Sequence, residues 1–282
     1  MKHNISTSFI ILLLVIGLSL LLYPSFSDWW NASRSSKAIT TYSKDVANLE
    51  QEKYDAIWND AWAYNQTLLE RTNGYLLPED QKQEYDRLLN LNGSGIMGYI
   101  EIPSLKVSLP VYHGTQENVL QVAVGHLEWT SLPVGGQSSH CVLSGHRGLP
   151  SAKLFTDLDK MTEGDVFMLR VLDEVLTYEV DQIRIVEPYQ TEELLIQEGE
   201  DLCTLVTCTP YAVNTHRLLV RGRRIDTQEA VRIIRITADA IQIEPLMVAP
   251  VLASPILLLL LILLLLPPKQ RPSYGGINNE IM

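Results

Sequence analysis

The stretch TLVTCTPYAVNTHR, Thr204 to Arg217, joins an apolar, β-branched run to a proline turn and to the start of a second such run. This composition predicts two short β-strands connected by a turn. Because side chains alternate along a strand, Cys203 and Cys208 point to opposite faces of the first strand. Cys208 lies where that strand ends, and Arg217 lies near the start of the next one.

Similar β-rich runs, separated by glycine and proline, begin at Ile96. The seven runs are IMGYIEI, VSLPVYH, CVLSGH, VFMLRVL, LTYEVDQIRIV, CTLVTC and RLLVRGRRI. Seven or eight strands in about 130 residues, with only brief helical patches such as AKLFTDLDKM, are typical of a closed barrel or a sandwich. The sequence therefore predicts an all-β domain over residues 96–226.

Residues 31–90, which precede this domain, have a helical pattern. Apolar and aromatic residues between 47 and 68 recur at steps of three and four among charged ones. Asn73-Gly74 ends that pattern, and PEDQKQEYDRLLN predicts a second, short helix that opens at Pro78. The sequence NLNGSG, residues 90–95, has the composition of a linker.

Two segments, Ile5–Tyr23 and Leu246–Leu266, are far more hydrophobic than the rest of the chain. Each has the ~20 residues needed to cross ~30 Å of hydrocarbon. The first has no small-residue cleavage site and is followed by aromatic residues typical of a membrane interface, which favours an anchor over a secretory signal. We therefore expect two transmembrane helices, with a buried core helix as the alternative for either. The flanking charges do not settle the orientation.

The composition excludes several classes of function. The chain is acidic, with 33 Asp and Glu against 22 Lys and Arg, which argues against a nucleic-acid partner. Its three cysteines are too few for a disulfide scaffold, and their odd number leaves at least one thiol unpaired. The Cys and His spacings do not match structural zinc sites, and no glycine-rich phosphate loop is present, so we expect no metal and no cofactor.

Cys208 is the cysteine best placed for chemistry. A thiol with an ordinary pKa of ~8.5 is only slightly ionised at neutral pH, so a nucleophilic cysteine needs a nearby cation or base. Cys208 lies at a strand end, whereas Cys141 and Cys203 lie within predicted strands and are expected to be small buried hydrophobes. Arg217 could stabilise an oxyanion, although a solvated charge on a strand is an equally good interpretation.

Three histidines remain open as the partner of this cysteine: His113, His126 and His146. Each lies beside glycine at the end of a β-rich run, where functional side chains often lie. A histidine in such a setting is more often a hydrogen-bonded structural residue than a functional one. His216 is a poorer candidate because strand alternation separates it from Arg217.

Taken together, these motifs resemble the sortase family, the membrane-anchored cysteine transpeptidases of Gram-positive bacteria. TLVTC resembles the family's TLxTC signature, LSGHRG resembles the segment that carries its histidine, and NTHRLLVRG resembles the strand that carries its arginine. Collinear similarity extends over residues 96–225. The helical N-terminal extension and the second apolar span resemble class C, the pilus-assembling sortases.

The resemblance implies a closed eight-stranded barrel with N-terminal helices and two flanking transmembrane helices. It places residues 24–245 outside the bacterial cell membrane and both termini in the cytoplasm. The expected segments are a tail over 1–4, a span over 5–23, a helical extension over 24–95, the catalytic barrel over 96–226, a juxtamembrane segment over 227–245, a span over 246–266 and a tail over 267–282.

The resemblance also implies the chemistry. Cys208 would be the nucleophile, His146 the general acid/base partner, and Arg217 the residue that stabilises the oxyanion and positions the substrate. The expected substrates are LPxTG-like sorting signals of pilin or surface proteins, cleaved between Thr and Gly through a thioester on Cys208. The expected acceptor is a lysine amine of the next pilin subunit.

Two alternatives accompany this hypothesis: a sortase that anchors surface proteins to peptidoglycan, and a membrane-tethered binding protein on an inactive barrel. One feature departs from class C, in which many enzymes carry an Asp-Pro-aromatic lid motif before the barrel. The corresponding stretch, RTNGYLLPEDQKQEYDRLL, lacks that tripeptide. Tyr75, Leu77 or Asp80 would cover the site differently, or the lid is absent, so no lid residue is assigned.

Overall fold

A closed barrel of eight strands is the centre of the computed structural model, which describes residues 5–69, 77–227 and 259. The strands are β1 (Ile96–Ile102), β2 (Val107–His113), β3 (Val124–His126), β4 (Ser139–Ser144), β5 (Val166–Val171), β6 (Glu174–Val186), β7 (Asp201–Thr209) and β8 (His216–Ile225). They follow the order β1-β2-β3-β4-β7-β8-β6-β5, and β5 pairs back to β1. Only β2–β3 and β4–β7 are parallel. The predicted closed eight-stranded barrel is confirmed.

The sequence pattern locates most of these strands. β1 and β2 have the predicted limits, and the later strands overlap their predicted runs. β3 escapes prediction because three residues are too few to display a period of two. The helical patch AKLFTDLDKM forms only a 3-10 turn over Leu158–Lys160.

Three helices precede the barrel: α1 (Ile5–Ala47), α2 (Gln51–Leu69) and α3 (Glu79–Arg87). The helix predicted to open at Pro78 is confirmed as α3, for which Pro78 is the N-cap residue. α1 does not end at Tyr23 but continues through Pro24. Of the described residues, 5–25 and 259 belong to one compact unit and 26–227 to the other.

One helix in the described part of the chain, over Phe9–Ala47, is long and apolar enough to cross a membrane by length and composition. Its most apolar window has a mean hydropathy of 2.5, and none of that window is buried among the described residues. The second predicted span, Leu246–Leu266, lies outside the described residues except for Leu259.

Buried hydrogen bonds fix the helices to the barrel. From α1, the Tyr42 hydroxyl donates to the carbonyl of Met97 at 2.9 Å and accepts from the amide of Leu172 at 2.8 Å. From α2, the Asn65 side chain binds both backbone groups of Leu132. Apolar side chains of α2 and α3 join the same buried cluster as the barrel interior: Ala61, Tyr64, Leu68 and Tyr85.

Candidate active site

Cys208 and Arg217 are cross-strand neighbours on the outer face of the barrel. The two residues lie directly opposite each other in the antiparallel β7–β8 pair, one position beyond Thr207 and Leu218. Thr207 is buried and Leu218 belongs to the barrel core, so alternation directs Cys208 and Arg217 to the other face. The Cys208 thiol is free and half-buried. The Arg217 guanidinium donates from Nη1 to the carbonyl of His216 at 3.1 Å.

His146 follows β4, at the same end of the barrel as Cys208. β4 and β7 are parallel neighbours, so their carboxyl ends meet at one edge. The Thr207 hydroxyl donates to the carbonyl of Gly145 at 2.8 Å and ties the two strand ends together. Glycine is required at 145 because a Cβ there would lie 2.7 Å from the Phe155 ring. The fold thus brings the histidine segment to the cysteine strand.

Among the residues that the structure describes, Glu117 is the carboxylate within 4 Å of His146. It begins the short helix α4 (Glu117–Leu120), and its Oε2 lies 3.7 Å from Nε2 of His146. A hydrogen bond from Gln121, together with the charge of His146, holds the pKa of the Glu117 carboxyl below its ordinary value. No sequence pattern pointed to this residue, because an exposed acidic residue between two strands is usually a solvated surface charge.

Arg147 connects the histidine segment to the residues that follow Cys208. Its guanidinium donates to the Thr209 hydroxyl at 3.3 Å, pairs with the Asp159 carboxylate, and lies 5.9 Å from the centre of the Tyr211 ring. Its side chain is only 9 % exposed. This arginine, which sequence reasoning also missed, holds the two loops of the site together.

The other three histidines weighed as partners have structural contacts. The buried His126 donates from Nε2 to the carbonyl of Ser131 at 2.8 Å, and its Nδ1 lies 2.9 Å from the Tyr85 hydroxyl. Both ring nitrogens of His113 contact backbone carbonyls. His216 is half-exposed and lies 3.3 Å from a Glu187 oxygen. Of His113, His126 and His146, only His146 follows a strand that pairs with β7, the strand of Cys208.

Cys141 and Cys203 face the barrel interior. They are register partners in the β4–β7 pair, and both are free and buried in the core. Burial raises the pKa of the Cys203 thiol well above its ordinary value, so this residue stays protonated and inert. The burial of both cysteines agrees with their interpretation as small hydrophobes, although hydrogen bonds with Cys203 and His126 outweigh burial and lower the pKa of the Cys141 thiol.

A second apolar cluster lies on the outer face next to Cys208. Its buried members are Val142, Leu194, Val206 and Leu219, and Leu127, Trp129 and Val186 pack against it. Val206 and Leu219 alternate with core residues in the same way as Cys208 and Arg217. The site therefore has an apolar surface on one side of the thiol.

His140 fixes the loop that contributes Leu194 to this cluster. Its Nδ1 lies 2.9 Å from the carbonyl of Leu195, in the β6–β7 loop, and its Nε2 lies 2.7 Å from the Thr204 hydroxyl. A carbonyl only accepts hydrogen bonds, so Nδ1 carries the proton and Nε2 accepts from Thr204. Burial lowers the pKa of His140 to about 4.

The buried His140 predicts a loss of stability in acid. Its folded pKa of about 4 lies below the unfolded value of ~6.5, so its contribution is complete above pH ~6.5 and is lost as the pH falls toward 4. We expect the free energy of unfolding to fall by roughly 2 kcal/mol between pH 7 and pH 4.5 from this group alone. Urea unfolding of the detergent-solubilised protein at pH 7 and pH 4.5 measures this change. His140→Gln should flatten the pH dependence and exposed His216→Gln should not; equal slopes in all three proteins would refute this role.

Comparison with known proteins places these features in one family. Residues 100–225 match the sequence profile of the sortase domain. The chain is 28% identical over 131 residues to sortase D of Bacillus subtilis, a match that covers 45% of this chain and 63% of that protein. The chain thus spans less than two thirds of that relative.

Solved structures show a closer similarity. Sortase C1 of Streptococcus agalactiae is 48% identical, with a TM-score of 0.66 over 68% of this chain and 99% of that one. Sortase C of Clostridium perfringens, solved with the C-terminal cell wall sorting motif, is 44% identical, with a TM-score of 0.60 and coverage of 68% and 99%.

Proposed function

This chain belongs to the sortase family of cysteine transpeptidases, with class C sortases as its solved relatives, and we propose that it polymerises pilus subunits. It cleaves an LPxTG-like sorting signal and joins the new carboxyl end to a lysine amine of the next subunit. The observation that carries the proposal is the direct pairing of Cys208 with Arg217 at the strand edge reached by His146. The sorting-signal substrate and the pilin partner are proposed here together with the reaction.

The first half of the reaction is acylation of Cys208. Its thiolate attacks the carbonyl carbon of the threonine in the signal, an S–C bond forms, and the Thr–Gly amide bond breaks. Protonated His146 gives its proton to the departing glycine amine, because an amine leaves readily only when it is protonated. The Arg217 guanidinium donates to the oxygen that becomes negative in the tetrahedral intermediate.

The second half is transfer to the acceptor. A lysine amine attacks the thioester carbonyl, a C–N bond forms, and the Cys208 thiolate leaves. Neutral His146 accepts the proton that the amine loses, which restores the starting protonation of the pair. No water molecule enters the product, so the net reaction replaces the Thr–Gly amide bond with an amide bond to the lysine.

The apolar cluster beside Cys208 supports the binding of a sorting signal that contains apolar residues. The side chains of Val206 and Leu219 adjoin the thiol on the outer face, where leucine and proline of an LPxTG-like segment can bury apolar surface. His140 holds the Leu195 loop against this surface. The Clostridium perfringens sortase C structure with its sorting motif supports the same class of ligand here.

Loss of Arg217 is expected to slow the acylation step. Arg217→Ala should lower the acylation rate constant by roughly 10²–10³-fold, as removal of an oxyanion donor does. Arg217→Lys should recover only part of the rate because lysine lacks the planar donor fork. Single-turnover kinetics with a sorting peptide measure the effect. Arg223→Ala is the matched control on the same strand, since it removes an exposed arginine paired with Glu200; equal losses in both variants would contradict the assignment.

The proposed topology places the barrel outside the cell membrane and both termini in the cytoplasm. The apolar segment of α1 supports one anchor, and the sequence Leu246–Leu266 supports a second. A protease added to intact cells should then degrade the barrel epitope and spare tags at both ends. Cleavage of either tag would overturn this arrangement.

The acceptor is tested by competition between two amines. The acyl-enzyme is offered a pilin peptide containing lysine, a peptidoglycan cross-bridge peptide, or both, and products are identified by mass spectrometry. Pilus assembly predicts dominant transfer to the pilin lysine. Dominant transfer to the cross-bridge would replace pilus assembly with wall anchoring and leave the chemistry of Cys208 intact.

A further inference from the structure

A cavity of about 440 Å³ lies between α1 and the first strands of the barrel. Its walls come from residues 31–42 of α1 and from segments around Ile96, Pro110 and Val122. None of its lining residues belongs to the site around Cys208. The proposed transpeptidation leaves this cavity unused.

Two cations lie on the helix side of the cavity, and the Arg34 guanidinium is also 5.9 Å from the centre of the Trp30 ring. Arg34 and Lys37 line it and are exposed, and neither forms an ion pair within the part of the chain that the structure describes. The adjoining carboxylate of Asp45 accepts a hydrogen bond from Asn92 at 2.6 Å and does not line the cavity. In a chain with a net charge of −11, this cavity therefore has a local positive charge.

The remaining walls suit an amphipathic ligand. The Ser35 hydroxyl, on a residue only 6 % exposed, makes no hydrogen bond to the described residues and is available as a donor. The Ser94 hydroxyl accepts from the amide of Ile96 at 3.3 Å and can donate toward the cavity. Val122, which is 41 % exposed, supplies part of the apolar wall.

The cavity follows directly after an exposed aromatic cluster on α1. Phe26, Trp29 and Trp30 are each more than half exposed, and Phe26 lies 6.0 Å and 6.4 Å from the two indole rings. Exposed tryptophans beside an apolar span are typical of the membrane–water interface. At 1.5 Å per residue, Arg34 lies ~6 Å and Lys37 ~10 Å along the helix axis from Trp30. If these tryptophans mark the interface, both cations are within reach of the headgroup layer.

We infer that this cavity binds the anionic phosphodiester headgroup of a membrane phospholipid. Arg34 and Lys37 neutralise the headgroup charge, Ser35 donates to a phosphate oxygen, and the wall around Val122 contacts the glycerol end of the lipid. Such a contact would hold the barrel at a fixed height above the bilayer surface.

Native mass spectrometry of the full-length protein in detergent tests this inference with dioctanoyl phosphatidylglycerol as the probe. The wild type should bind one molecule. The double variant Arg34→Gln/Lys37→Gln should bind about 30-fold more weakly, the factor expected for two cations at a membrane surface. Lys44→Gln/Lys53→Gln removes the same charge from exposed lysines outside the cavity and should bind like the wild type. All three proteins should cleave a soluble sorting peptide equally, which verifies their folding.

Three results would overturn the inference. The first is equal affinity of the wild type and the Arg34→Gln/Lys37→Gln variant for phosphatidylglycerol. The second is equal binding of dioctanoyl phosphatidylcholine, which carries a phosphate but no net charge. The third is displacement of the lipid by inorganic phosphate at the same concentration, which would identify a site for the free ion.

Discussion

Cys208→Ala is expected to abolish both acyl-enzyme formation and subunit polymerisation, with a loss on the order of 10⁴-fold or more. We expect this large loss because of where Cys208 lies as well as because its thiol is the nucleophile. Cys208 is the half-buried thiol on the outer face, whereas Cys141 and Cys203 are buried in the barrel core. Neither buried thiol can replace it as nucleophile. Turnover of a sorting peptide in the presence of a lysine acceptor measures the loss.

Cys203→Ala is the matched control for this experiment. It removes a thiol from the same strand on the opposite face, and it should keep the reaction while lowering stability by about 1 kcal/mol. An unfolding midpoint of Cys208→Ala close to the wild type would show that its defect is chemical. Polymerisation by Cys208→Ala, or its loss in a folded Cys203→Ala protein, would refute the assignment.

Removal of His146 has the second-largest expected effect. His146→Ala should lower the acylation rate by roughly 10²–10⁴-fold, the usual contribution of a general acid/base. The imidazole is 27 % exposed at the edge beside the cysteine strand, and an oxygen of Glu117 lies 3.7 Å from its Nε2. Single-turnover rates with a sorting peptide quantify the loss.

A change of leaving group separates proton donation from a merely structural role. In a depsipeptide, an ester replaces the Thr–Gly amide, and the departing alcohol depends less on protonation than an amine does. The deficit of His146→Ala should therefore shrink with the ester substrate. His216→Ala, which removes a histidine half-exposed beside Glu187, should behave like the wild type with both substrates. An equal deficit of His146→Ala on amide and ester would contradict the acid role.

The β-rich runs predicted most of the barrel because the alternation of side chains along a strand depends only on residues close in sequence. Alternation placed Cys208 and Cys203 on opposite faces, and the register of β7 with β8 agrees with that prediction. β3 could not be found, since a three-residue strand is defined by its partners rather than by its own pattern. α1 passes through Pro24 although a proline favours a break, because a proline inside a helix bends it without always ending it.

The site was less predictable because its members meet only through tertiary pairing. Local pattern left His113, His126 and His146 equivalent. The parallel pairing of β4 with β7, together with the structural hydrogen bonds of His113 and His126, distinguishes them. Glu117 and Arg147 had no sequence signal at all. Their partners, His146 and Thr209, lie on other segments that the closed barrel brings together.

Intact-mass spectrometry of the full-length protein incubated with an LPxTG-like peptide, without an acceptor, shows whether Cys208 carries the acyl group. We expect a mass increase equal to the acyl group that ends at the threonine, peptide mapping that locates this group on Cys208, and loss of the adduct when a lysine peptide is added. An acyl group on Cys141 or Cys203, or cleavage of the peptide without any adduct, would contradict the account.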